Sequence, residues 1–391
     1  MNPAMDNASP PQKSERLLSL DAFRGITIAA MFLVNNAGDW RHVYSPLRHA
    51  EWNGCTAADL IFPFFLFIMG VAMTYSMGKR RQGAGPGYAL LAPAIRRTVI
   101  LSLLNAALAL LAWWAFVGHF RFYGVLQRIA ICYFFTSLIV LYAGVRAQAL
   151  WGAGLVLGYY FILKFVPAPG SEAGMLDRFS NIADYIDTKL MLPWLYEIDD
   201  KLQMGHDPEG MLSTLGAMGT TLSGVLVGHW LRRKDKSPAP KAAFLALAGG
   251  LLAAAAALWS RDIPFNKNLW TPSYVLHASG WACLGLAASY WLIDIRGFQT
   301  WAKPFIVYGS NAIAAYVGVG AMSYVLVGIR WHDEACKTMR LKTYLYQRLY
   351  ESWLPTFFSP YVSSAAWGAS YVLLWCGLMW ILYRRRIFIK V

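Results

Sequence analysis

Charge is scarce in this chain. Asp, Glu, Lys and Arg make up 14% of its 391 residues, against 57% hydrophobic and 15% aromatic. So much apolar surface cannot be hidden in one soluble core. Cysteine is also scarce: the five residues Cys55, Cys132, Cys283, Cys336 and Cys376 form no CxxC pair or metal-like spacing, which argues against a disulfide framework. A bond between Cys55 and Cys336, the two expected to face outward, is the one pairing kept open. The seven histidines are scattered singly. None falls at the i, i+4 spacing of a zinc helix, so no metal site is expected. There is no ten-residue alternating pattern, which disfavours a barrel, and no strong internal repeat.

What the chain has in abundance is apolar stretches of roughly twenty residues, each long enough to cross a ~30 Å hydrocarbon core. About ten are expected, near 17–37, 56–77, 94–115, 124–143, 148–166, 211–231, 242–259, 272–294, 304–327 and 361–383. Backbone amides in lipid must be satisfied within their own segment, so the expected class is all-α and polytopic. Basic residues set the orientation. Lys79-Arg80-Arg81, Arg96-Arg97, Arg232-Arg233-Lys234 and Arg384-Arg385-Arg386 fall on alternate flanks together with the N-terminus, which predicts both termini in the cytoplasm. The net charge of +14 is explained by these flanks and by anionic lipid, so nucleic acid is not an expected partner. Residues 1–16 read as a disordered cytoplasmic tail and 17–391 as one transmembrane domain, with outer loops near 38–55, 167–210, 260–271 and 328–360.

Polar groups inside apolar spans are costly and call for pairing or function. Asp21 and Arg24 lie three apart on one helical face and can neutralise each other. Asn35 and Asn36 end the first span, where helix packing and catalysis are both open. Asp59 falls in the first turn of the second span and could simply stabilise its positive end. Arg128, after Gln127, either snorkels to the interface or lines a cavity. His49 sits in the polar run Arg48-His49-Ala50-Glu51-Trp52-Asn53-Gly54 at the mouth of this bundle. Imidazole takes and returns protons near neutral pH, which makes His49 the first candidate for chemistry.

The runs RLLSLDAFRGITI, HAEWNGCTAADLIFPFFLFIMG, GVLQRIAICYF, HDPEGMLSTL, NKNLWTPSYVL, GSNAIAAYVG and ILYRRRIFIKV resemble those of the heparan-alpha-glucosaminide N-acetyltransferase family, including its compact bacterial members. The resemblance implies an acetyl-CoA-dependent enzyme that acetylates the amine of a glucosamine across a membrane. It implies His49 as the catalytic histidine and Asn35 as the active-site asparagine. Two departures stand out: a slightly longer stretch between Asn35 and His49, and no counterpart of the animal enzyme's large lumenal domain.

Acetyl transfer to an amine needs a base and a donor for the developing oxyanion; His49 is expected to supply the first, and Asn35 is able to supply the second. Direct attack in a ternary complex is favoured over an acetyl-histidine, because no second base is evident to activate the ring. Arg24, Asp59, Gln127, Arg128 and Asn311 are expected to line or frame a passage for the thioester arm. Trp52, Asn53, Asn266 and Lys267 are expected to border its outer mouth. Expected partners are acetyl-CoA, a glucosamine-containing sugar, membrane lipid and, as an option, a second copy of the chain in a homodimer. The expected location is a bacterial inner membrane. An amino-sugar transporter using the same cavity without bond-making is the alternative.

Overall fold

The computed structural model describes residues 17–83, 88–118, 120–332 and 338–389. The expected tail over 1–16, Cys336 and Lys390 lie outside the described residues, as do the side chains of Lys79, Arg80 and Arg81. The chain is mostly helical, with α1 (Leu18–Asn35), α2 (Ala57–Gly83), α3 (Tyr88–Phe116), α4 (Val125–Tyr142), α5 (Val145–Phe165), α6 (Ile182–Met191), α7 (Thr214–Leu231), α8 (Pro238–Trp259), α9 (Pro272–Ser289), α10 (Lys303–Ser310), α11 (Ala312–Gly328), α12 (Leu341–Tyr346) and α13 (Pro360–Arg384). Among the described residues, strand is confined to two small antiparallel hairpins. One joins β1 (Glu197–Asp199) to β2 (Met204–His206), and the other joins β3 (Arg330–His332) to β4 (Thr338–Arg340).

Each apolar stretch read from the sequence coincides with helix, but the helices are not alike. Among the described residues, six are long and apolar enough to cross a membrane: α1, α2, α3, α4, α8 and α13. The pair α10–α11 qualifies only together, bent by 83° where Asn311 separates the two. Helices α5, α7 and α9 fall short of the same measure. In α7 and α9 the physical reason is interior position. Both are rich in Gly, Ser and Thr and mostly buried, and small residues let helix backbones approach closely in an apolar medium. At Gly224 of α7 a Cβ would stand 2.0 Å from the Phe67 carbonyl oxygen of α2. With Gly70 of α2, where a Cβ would stand 2.0 Å from the Thr221 carbonyl oxygen of α7, it lets the two helices pack backbone to backbone. Helices α3, α8 and α13 instead present bare apolar side chains such as Leu103, Leu247 and Leu373, the expected faces toward lipid.

Proline starts several helices, at Pro238, Pro272, Pro304 and Pro360, where its missing N–H costs nothing. Inside the long outer segment Asn181 caps α6, its side chain accepting from the Asp184 N–H at 2.8 Å. The connections 36–56, 166–213 and 260–271 meet at one end of the bundle. Asn35, His49, Glu209 and Lys267 converge there.

Candidate active site

The loop carrying His49 is pinned from three sides. Gly54 donates its N–H to the Phe265 carbonyl at 2.7 Å with φ +117°, a left-handed conformation that favours glycine. The Asn266 amide donates to Asn53 Oδ1 at 3.2 Å. Trp52 Nε1 donates to the Leu176 carbonyl at 3.0 Å, its ring between the Arg178 guanidinium and His206. Three of the residues expected at the outer mouth, Trp52, Asn53 and Asn266, therefore position the loop.

Asp59 is the partner that spacing alone did not reveal. Its Oδ1 is 2.7 Å from His49 Nδ1, while Oδ2 accepts from the N–H groups of Ala50 at 3.1 Å and Thr56 at 3.0 Å. Four hydrogen bonds, counting that from the Thr56 hydroxyl at 3.1 Å, hold a carboxylate whose side chain is 1% exposed beside an imidazole that is 42% exposed. The acid is sealed and oriented, and the imidazole opens outward. The expectation that no second base stands beside His49 is thereby corrected, and with it the ground given for preferring direct attack over an acetyl-histidine. The reason is register: His49 in the loop and Asp59 in the first turn of α2 are ten residues apart, and only the turn between them brings them together.

Lys267 is not merely at the rim. Its Nζ lies 3.2 Å from His49 Nδ1, 3.5 Å from Nε2 and 3.6 Å from Asp59 Oδ1. Burial pushes its pKa down, opposed by the nearby charges of Asp59 and Glu209. A cavity with room for about 90 Å3 of solvent opens beneath, walled by Asn35, His49, Glu209 and Lys267 at its polar end and by side chains such as Met31, Phe62, Phe65 and Ile129 below. Asn35 faces this cavity. Asn36 does not: buried, it donates to the Phe32 carbonyl at 2.9 Å and accepts from the Ser323 hydroxyl at 2.5 Å.

Glu209 was not singled out from the sequence. Arg121 bonds both Glu209 and Asp207, the latter at 2.5 Å. Burial works against the Glu209 charge, but Arg121, then Arg128 and Lys267, outweigh it and hold its carboxyl below the usual range. The available signal was the polar run His206-Asp207-Pro208-Glu209 just before an apolar span.

The other residues expected along a passage are absent from the wall of this cavity. Arg24 pairs with Asp21 at 3.2 Å and reaches the Gly309 carbonyl at 3.3 Å, tying α1 to α10. Arg128 does not snorkel. It is fully buried under the Trp270 ring and bonds the Gly210 carbonyl at 2.8 Å and the Ser213 hydroxyl, because the loop before α7 folds over it and offers oxygens that lipid cannot. Gln127 keeps its amide oxygen buried without a hydrogen-bond partner. Asn311 binds the C-terminal segment, donating to the Ile387 carbonyl at 3.0 Å and accepting from the Ile389 N–H at 2.8 Å. Among the described residues, no group of three or more His, Cys, Asp or Glu is arranged to hold a metal.

Apolar helices around a polar end holding acid, imidazole and amine define a helical membrane protein with a cavity that is polar at one end of its bundle. Residues 16–199 match the family model described as "Heparan-alpha-glucosaminide N-acetyltransferase, catalytic". The human protein of that name is 31% identical over 367 residues, covering 80% of this chain, and the mouse protein is 29% identical over 357 residues, covering 78%. Over these stretches the chain is similar to the heparan-alpha-glucosaminide N-acetyltransferases. It spans about half the length of these curated relatives, 53% of each.

Proposed function

We propose that the protein is an acetyl-CoA-dependent transmembrane N-acetyltransferase acting on the amine of a glucosamine-type sugar. The observation that carries this reading is the sealed Asp59 bonded at 2.7 Å to an open His49 on the wall of a cavity it shares with Asn35. His49 donates its Nδ1 hydrogen to Asp59, which leaves Nε2 with a lone pair facing substrate. The sugar ammonium first gives one proton to water, and Nε2 takes the second proton from the neutral amine as it attacks. The amine nitrogen bonds the acetyl carbonyl carbon, the carbon–sulfur bond breaks, and the proton passes to the departing CoA thiolate. The Asn35 amide and the Lys267 ammonium support the developing oxyanion, and Glu209 attracts the incoming ammonium. Apolar side chains lower in the cavity suit an acyl-pantetheine arm. Since the cavity has room for only a few waters, α1, α2, α4 and α11 must part to admit that arm.

Acetyl-CoA enters from the cytoplasm in this reading and the sugar from the opposite face, in a bacterial inner membrane. The bend at Asn311 is the feature that a transporter would share. Here it is stapled to the C-terminal segment, which favours the enzyme. Purified protein given acetyl-CoA and glucosamine is expected to release CoA and N-acetylglucosamine in equal amounts. Absence of both products sinks the reading. A stoichiometric burst of CoA with no acceptor present replaces direct transfer by an acetyl-histidine.

A further inference from the structure

Among the described residues on the wall of the active-site cavity, Lys267 holds the single primary amine. Its Nζ lies 3.5 Å from His49 Nε2, the atom that takes the proton of the attacking sugar amine in the proposed mechanism. Glu209, placed to attract an incoming ammonium, already acts on this one. Burial, the largest influence on Lys267, favours its neutral amine, against the charges of Asp59 and then Glu209. Lys267 thus stands where the base, the acidic group and the thioester carbonyl are set to meet. It needs no binding step to get there. The neighbouring thiol is no rival, because burial and then the Asp59 charge push Cys55 up to about 12, and it keeps its proton.

We propose that Lys267 is a self-acetylation site, an internal acceptor that takes the acetyl group of acetyl-CoA when no sugar amine is bound. This further activity rests on the acetyl-CoA reading of the cavity. The Lys267 ammonium gives one proton to water, and the neutral Nζ bonds the acetyl carbonyl carbon while His49 Nε2 takes the second proton. The carbon–sulfur bond breaks and that proton passes to the departing CoA thiolate, leaving free CoA and an Nε-acetyl-lysine. The lysine amide is neutral, so it no longer offsets Asp59, 3.6 Å from Nζ, or the Glu209 carboxylate. The added acetyl group also enters a cavity with room for about 90 Å3 of solvent. Self-acetylation therefore shuts the site. A bound sugar protects it, because its amine competes for His49 Nε2 and for the thioester, and Lys267 then keeps its proton and serves the oxyanion.

The test is peptide mass spectrometry on the purified full chain after incubation with acetyl-CoA, with and without glucosamine. Without the sugar, an acetyl group is expected on Lys267 in a form that survives hydroxylamine, which strips acetyl from an imidazole or a thiol. Acetyl-CoA also modifies exposed lysines without a catalyst, and Lys201 and Lys303 are exposed, so they serve as internal controls. Lys267 is expected to be labelled faster than either. His49→Ala is expected to slow the Lys267 label by about 10²-fold or more, the loss of a general base, and to leave the controls unchanged. Glucosamine present from the start is expected to slow the label, and labelling before glucosamine is added to lower later turnover in proportion. Lys267 labelled no faster than Lys201, or equally fast in His49→Ala, overturns the proposal; the first comparison needs no variant. An unlabelled Lys267 in protein that acetylates glucosamine overturns it too, and leaves the enzyme reading standing. Protein that labels Lys267 through His49 but acetylates no glucosamine upholds the internal acceptor and removes the sugar from the reading. Protein that does neither overturns both.

Discussion

At the residue scale, His49, Asp59 and Asn35 are predicted to fail in different ways. His49→Ala removes the base and is expected to lower kcat by about 10²–10⁴-fold. Asp59→Asn keeps the shape but loses the carboxylate that fixes the tautomer, and is expected to lower kcat within the same range. Asn35→Ala removes an oxyanion donor, for an expected loss of about 10²–10³-fold in kcat with little change in acetyl-CoA affinity. Steady-state kinetics with a separate acetyl-CoA binding measurement checks all three. Activity of His49→Ala within a few-fold of wild type removes His49 from the mechanism. Should Asn36→Ala, and not Asn35→Ala, show the kcat defect, the oxyanion role moves by one residue. In the sequence, a titratable ring in a polar loop pointed to His49, and the family resemblance pointed to Asn35. Asp59 read as a helix-end charge or a group lining the passage, not as the partner of His49, and Glu209 was overlooked, because a carboxylate's role is set by what lies across the fold from it.

At the element scale, the segment from α6 to the start of α7 forms the roof over the site, and one buried acid holds its two ends. Asp187 of α6 accepts the N–H groups of Met211 at 2.9 Å and Leu212 at 3.3 Å. Gly210 lies so close that a Cβ there would stand 1.8 Å from the Asp187 Oδ2 atom. Burial raises the Asp187 carboxyl to about 7, although the two N–H donors oppose the shift. Since the folded pKa lies above the unfolded value of about 3.9, the native state binds more protons than the unfolded state across roughly pH 4–7. Stability from this group is therefore fully present at acid pH and is lost as pH rises through about 7. Asp187→Asn retains an acceptor for both N–H groups but cannot titrate. Its thermal stability in detergent, followed across pH 4–8, is expected to lack the decline that wild type shows over that interval. Parallel profiles for the two proteins contradict this account.

At the scale of the whole molecule, the prediction is sidedness. In proteoliposomes of known orientation, acetyl-CoA confined to the basic-flank side is expected to acetylate glucosamine confined to the other. Product only when both share one compartment rules out transfer across the membrane, even with His49 catalytic. Sequence by itself determined that this is a polytopic helical membrane protein, because apolar length and basic flanks are properties of segments and need no knowledge of neighbours. It also marked His49 and Asn35, through residue type and family resemblance. Tertiary structure alone decided which polar residues meet. Asp59 and Lys267 close on His49 from α2 and the loop before α9, and Glu209 reaches the same cavity from the loop before α7. Arg24, Arg128 and Asn311 are spent on holding helices and loops together. The physical reason is that an intramembrane polar group can meet its desolvation cost with any partner in reach, and which partner is in reach depends on helix crossings such as that at Gly224, which no local pattern encodes.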